Sequence, residues 1–208
     1  MSRFNYEELA ALHTIAKILT QSGELREQLE KIMTEMSKRL GMERGMISIL
    51  DRKTGETWLE VARGVDIEGL DISYKPGEGI TGKVAQTGRP MAIANLGKEN
   101  LFLDRTGARK HLDRSQLSFL CVPIVYNGNV TGVLSADKLT HKVTDLEEEV
   151  AILSAVADLV AKAVHGLGLE EENRSLRKML SRTRTISTDI IGNSKPMLDV
   201  LNMISQVA

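Results

Sequence analysis

The sequence predicts an α+β fold: an antiparallel sheet with helices packed on one face, followed by a helical linker. Three observations carry this expectation. Two helical stretches with apolar stripes open the chain, strand-like runs joined by hairpin turns fill its middle, and a long helix with its own apolar face follows them. Strands linked by short turns pair antiparallel, and an antiparallel sheet buries one face under helices while the other can remain in water.

The elements follow in order. Tyr6 to Leu19 puts Leu9, Leu12, Ile15, Ala16 and Leu19 on one helical face, and Gln21-Ser22-Gly23 breaks it. Leu25 to Leu40 repeats the pattern with Leu25, Leu29, Ile32, Met33, Met36 and Leu40, and Gly41 stops it. Met46 to Leu50 reads as a buried strand, Asp51 to Gly55 as a turn, and Thr57 to Ala62, with the single tryptophan Trp58, as its hairpin partner. Leu70, Ile72 and Tyr74 alternate in a short strand, and Met91 to Ala94 forms another. Ser118 to Val125 and Asn129 to Asp137 are two strong strands joined at Tyr126-Asn127-Gly128. Thr144 to His165 is a long helix, with Thr144 as N-cap and Glu147 completing a capping box. Its apolar face carries Leu146, Val150, Leu153, Val156, Ala157, Val160 and Val164.

Between the short strands lies Pro76-Gly77-Glu78-Gly79-Ile80-Thr81-Gly82-Lys83-Val84, which contains Gly-x-Gly-x-x-Gly. A dinucleotide-binding fingerprint needs a long helix after the glycines and an acidic residue about 20 positions on. Here Gly88-Arg89-Pro90 stops the helix after about two turns, and no Gly-Lys-Ser/Thr stands at P-loop spacing. Gly77, Gly79 and Gly82 are therefore expected to make a tight turn and let a short helix pack closely on the sheet.

Composition sets bounds. The chain has 208 residues with 27 basic and 28 acidic side chains, so no global charge draws it to nucleic acid or membrane. Cys121 is the only cysteine and sits in an apolar strand, which fits a small buried hydrophobe in a reducing, cytoplasmic compartment. No signal-peptide core opens the chain, and no apolar run approaches membrane-spanning length. His13, His111, His141 and His165 are scattered with no ligand spacing, so no metal or cofactor is expected. No nucleophile stands beside a base, and Asp51, Asp137 and Asp145 read as turn or cap residues, so no enzymatic activity is expected.

Asn95 to Leu117 is a long polar excursion, and loops of this length are often functional. It carries Arg105, Arg109, Lys110, His111 and Arg114. Arginine forks suit carboxylate or phosphate, yet the same charges could be solvated or paired with Asp104 and Asp113 inside the loop. Beyond the long helix, Leu169, Asn173, Leu176 and Leu180 fall on heptad positions d, a, d and a. An Asn at position a can fix register in a parallel two-stranded coil, so a homodimer seam and a solvated connector helix both remain open. Gly166 and Gly168 are possible hinges, and the basic residues from Arg174 to Arg184 lack the aromatic interleaving of a nucleic-acid surface.

The order of elements, with Gly77 to Gly82, Gly88-Arg89-Pro90, Cys121-Val122-Pro123-Ile124 and Gly132 to Ser135 with Asp137-Lys138, resembles a GAF domain. Phe102 to Gly107 with Arg109, and then Ser118-Phe119, resembles the GAF domain of NifA-type transcriptional activators. Asp189 to Ser194, with Met197, Val200 and Ile204, is similar to the entrance of the AAA+ domain of sigma-54-dependent activators. The resemblance implies three segments: a GAF sensory domain over 1–166, a linker helix over 167–187 and the start of an AAA+ domain over 188–208, short of its phosphate-binding loop. It also implies a pocket between sheet and excursion, with Arg105, Arg109, His111, Phe102, Phe119 and Cys121 as candidate ligand contacts. The implied ligand is a small anion, such as 2-oxoglutarate or a nucleotide, or else a regulatory protein takes its place. In the full-length protein, sigma-54 RNA polymerase and DNA would be further partners. A GAF-fold enzyme acting through cysteine, or a cofactor or chromophore sensor using Cys121 or His111, is the alternative.

Overall fold

The computed structural model describes residues 5–65, 71–143 and 145–187, with side chains described as far as 177. Leu70, the cap expected at Thr144, the side chain of Leu180 and the AAA+-like stretch 188–208 lie outside the described residues. Helices α1 (Tyr6–Leu19) and α2 (Leu25–Leu40) come first, followed by strands β1 (Met42–Leu50), β2 (Thr57–Ala62) and β3 (Ser73–Tyr74). Helix α3 (Gly79–Thr87), strands β4 (Met91–Ile93), β5 (Leu117–Tyr126) and β6 (Asn129–Leu139), and helix α4 (Leu146–Ser187) complete the order. The strands form one sheet in the order β3-β2-β1-β6-β5-β4, with every neighbouring pair antiparallel.

Local chemistry sets the element ends. Asn5 and Glu8 form a reciprocal capping box at the start of α1. Gly41 ends α2 in the left-handed region at φ 66°, which glycine adopts without Cβ strain. Asn127 and Gly128 take φ 51° and 75° between the paired residues Tyr126 and Asn129, so positive φ at both centres matches the right-handed twist of β5 and β6. Asp145 accepts from the Glu147 N–H at 2.8 Å at the start of α4. Strand β1 begins at Met42, earlier than the sequence pattern suggests, because Met42 to Gly45 pair with Ala136 to Lys138.

Helices cover both faces of the sheet rather than the single face that was expected. On one face, Ala11 and Ile15 of α1, Leu29, Ile32, Met33 and Met36 of α2, and Leu153, Val156 and Val160 of α4 pack on Ile47, Leu120, Val122 and Leu134. On the other, Ile80, Val84 and Ala85 of α3, with Leu96 and Phe102 of the excursion, pack on Met46, Phe119, Cys121 and Val133. The strands β5 and β6 are buried on both faces, so the second face is covered as the first is. Over Leu146–Arg177, α4 is long and apolar enough by composition to cross a bilayer, which the sequence reading had excluded. Its apolar stripe is buried in the first core instead, as in the core helix of a packed domain. Gly166 and Gly168, read as hinges, both lie inside α4. The chain divides into two units after Gly168.

The glycine segment is a close-packed turn. Gly77 and Gly79 take φ 76° and 60°, the Gly77 N–H donates to the Gly82 carbonyl at 3.0 Å, and the Gly82 N–H donates to the Glu78 carbonyl at 2.9 Å. A Cβ on Gly82 would lie 2.2 Å from the Lys75 carbonyl oxygen, a backbone atom that cannot turn aside. A Cβ on Gly168 would meet only Ile49 Cγ2, at 3.4 Å. Both glycines are helical, so propensity alone favours alanine at each by about 1 kcal/mol. Gly82→Ala is expected to lose about 1–3 kcal/mol to overpacking, and Gly168→Ala to hold or gain stability. Urea denaturation of the two variants checks the opposite signs.

Candidate functional site

Strand alternation puts Val133, Ser135 and Asp137 of β6 on the face that receives α3 and the excursion. Asp137 has no exposed surface, so its carboxylate has to be neutralised locally. Two arginines do this. Arg109, only 2 % exposed, binds it through two N–H groups: Nε donates to Oδ2 and Nη2 to Oδ1, both at 2.8 Å. Arg44 of β1 donates from Nε to Oδ2 at 2.7 Å. The bidentate fork is the geometry in which guanidinium and carboxylate bind most strongly.

Arg109 is also held from its own loop. Its Nη1 donates to Asp104 Oδ1 at 3.2 Å and to Thr106 Oγ1 at 3.4 Å, and its backbone N–H donates to Asp104 Oδ2 at 3.1 Å. Its Cζ lies 5.0 Å from the Phe102 ring centre and 5.8 Å from that of Phe119, and the two rings meet edge to face at 5.0 Å. Burial works to lower the Arg109 pKa, but the hydrogen bonds and charge of Asp137, then those of Asp104, outweigh it and raise it. Arg109 therefore stays cationic. With Arg44, Asp104 and Asp137 it makes a group of two positive and two negative charges.

The excursion closes over a small cavity lined by Ser48, Tyr74, Thr81, Arg109, Phe119 and Ser135, among others. Its volume of about 10 Å³ has room for one water and none for a metabolite. Burial raises the Tyr74 pKa, against the lowering charges of Arg109 and Arg105.

The sequence-predicted residues fall into two groups. Arg109, Phe102 and Phe119 come together at the cavity. Arg105 is exposed, pairs with Glu78 and lies with its Cζ 5.2 Å from the Tyr74 ring centre. The Glu78 pKa is lowered, first by the Lys75 backbone N–H and also by Arg105. His111 is exposed and does not line the cavity. Cys121 is fully buried in the second core, and burial pushes its thiol pKa far up, opposed only by a Thr81 hydrogen bond. Among the described residues no three His, Cys, Asp or Glu side chains converge to hold a metal ion.

Some residues that build the site escaped the sequence reading. Asp51 and Asp145 do serve a turn and a cap, as expected. Asp137, read with them, is instead an interior strand residue between two arginines. A charge within a buried strand was the available signal. Arg44, Ser48, Tyr74 and Ser135 left no such mark, because only the register of β1, β2, β3 and β6 brings Arg44 to Asp137 and the other three to the cavity. In the linker, Asn173 bonds back to the Leu169 carbonyl at 3.1 Å, and Leu169 and Leu176 are each 45 % exposed.

Comparison with known proteins places this geometry. The family model described as "GAF domain" matches residues 24–164. The nitrogen fixation protein VnfA of Azotobacter vinelandii is 36% identical over 210 residues, covering 96% of this chain and 40% of VnfA. The Nif-specific regulatory protein of Azospirillum brasilense is 32% identical over 212 residues, covering 97% of this chain and 34% of that protein. The chain thus spans well under half the length of these relatives. The crystal structure of the A. aeolicus nlh2 GAF domain in an inactive state superimposes with a TM-score of 0.67 at 28% identity, covering 76% of this chain and 94% of that one.

A thiol this buried reacts only when the fold opens. Labelling of Cys121 at pH 8 is expected to be slow in native buffer and to reach the rate of a free thiol in urea; fast labelling of the folded protein would contradict the placement.

Proposed function

This chain belongs to the GAF domain family, and from that membership we propose that it is the N-terminal regulatory sensor of a sigma-54-dependent transcriptional activator. One observation carries the reading: likeness to VnfA covers 96% of the chain, whereas the GAF match ends at residue 164. The shared sequence therefore includes the linker as well as the sensor. In this reading a small anionic effector or a regulatory protein acts on the excursion, and the change controls a downstream AAA+ ATPase that works with sigma-54 RNA polymerase on DNA. The setting is cytoplasmic.

The chain itself carries no catalytic step in this proposal. The thiol that a cysteine-dependent GAF-fold enzyme would use is buried and held protonated, and exposed His111 offers no axial ligand to the cavity. The sensor works as a homodimer. An open groove of about 700 Å³, in which Ala92, Leu146, Val150 and Ala151 are flanked by Glu147, Ser154 and Asp158, offers a partly apolar surface for a second copy. Leu169 and Leu176 offer an exposed seam on the linker.

The two kinds of effector make different demands. A dicarboxylate or nucleotide needs the excursion to move, because the cavity holds only about one water. A regulatory protein could bind the outside of the excursion, where Leu101, Leu103 and Leu112 are exposed. Titration calorimetry of the chain with 2-oxoglutarate, cyclic nucleotides and adenine nucleotides separates them. The small-effector form predicts saturable binding and a rise in Tm with ligand concentration. No heat and no shift with any of these would leave the regulatory-protein form.

A further inference from the structure

We propose that the Nη1 side of Arg109 is a carboxylate-binding subsite that Asp104 of the same chain occupies, and that an incoming carboxylate takes it by displacing Asp104 and so releases the excursion. The inference rests on the small-effector form of the proposed function and deepens it. The two sides of the guanidinium are held differently. Asp137 binds Nε and Nη2 at 2.8 Å from a strand, with no exposed surface and Arg44 as a second partner. Asp104 and Thr106 reach Nη1 at 3.2 and 3.4 Å, long for charge-assisted bonds, and both lie in the loop that would move. Asp104 is also partly exposed, its side chain retaining 16% of its accessible surface. A carboxylate arriving from solvent therefore meets the Asp104 bond as the weaker one.

Displacement also keeps the charges balanced. With Asp104 in place, Arg109, Arg44, Asp137 and Asp104 carry two charges of each sign. Adding an anion to this closed group would leave one buried negative charge uncompensated. Exchanging Asp104 for the carboxylate of a ligand keeps the group neutral and moves Asp104 into water. The same exchange breaks the link from Asp104 to the Arg109 backbone N–H, which holds the loop turn together. Ser48, Ser135 and Tyr74 line the cavity and offer hydroxyls to the rest of a ligand.

Asp104→Ala tests the subsite without knowledge of the natural effector. Hydrogen exchange is expected to rise across residues 101–113 of this variant and to stay unchanged in β5 and β6. Acetate, titrated against chloride at equal ionic strength, is expected to raise the Tm of Asp104→Ala saturably by about 2–4 °C, and to do nothing for Asp104→Ala/Arg109→Gln. No acetate-specific rise in Asp104→Ala, an equal rise in the double variant, or no local change in exchange would each overturn the proposal. Failure of 2-oxoglutarate and nucleotides to bind the wild-type chain is a separate result that bears on the small-effector reading alone.

Discussion

A carboxylate with no contact to water has to be neutralised where it sits, and Asp137 is neutralised from two directions. Arg44 reaches it along the sheet from β1, and Arg109 comes down on it from the excursion. Removing one partner of such a buried pair leaves an uncompensated charge and typically costs about 3–5 kcal/mol, far more than any exposed pair in this chain could supply. The excursion is otherwise short of regular structure, with one-turn 3-10 segments at Leu96–Lys98 and Arg114–Gln116. Its position over the sheet depends on this charge contact and on Phe102 packed against Phe119.

The glycine segment serves the same arrangement from beside it. Gly82 lets α3 lie against the Lys75 carbonyl, and a Cβ on Gly79 would lie within 3.3 Å of Leu103 and the Leu101 carbonyl oxygen. The helix can then cover Val133 and Phe119 while leaving space for the excursion. A motif that looks like a phosphate cradle is here a means of bringing helix, loop and sheet together. In the proposed regulatory role the arrangement holds in one state and yields in another, and the longer bond from Arg109 to Asp104 is the contact proposed to yield.

Much of the fold was legible because it rests on periodicity and turn chemistry. The stripe of α2, the Asn127-Gly128 turn and the Gly41 stop all depend on neighbours in sequence, whereas the stripe expected on α1 is displaced: Ala11, Ile15 and Ile18 are buried and Leu9 is exposed. The covering of both sheet faces was not legible from hairpins alone, although the continuous apolar run Phe119 to Val125 of β5 contained it. At the site, the arginines of the excursion stood out, but which one would be buried did not. Arg105 and Arg109 look alike in sequence. Only the pairing of Phe119 with Asp137 across β5 and β6, beneath Phe102, makes a charged floor for one and leaves the other to Glu78 at the surface. Asp137 was misread because its partners lie 28 and 93 positions away.

The most direct measurement of this account is a double-mutant cycle between Arg109 and Asp137, using Arg109→Met, Asp137→Asn and the double variant, each unfolded in urea. If the buried pair fixes the excursion to the sheet, the double variant will be more stable than the sum of the single losses implies, with a coupling of roughly 1–3 kcal/mol. Losses that add to within about 0.5 kcal/mol would show that the two side chains act independently and would contradict the account.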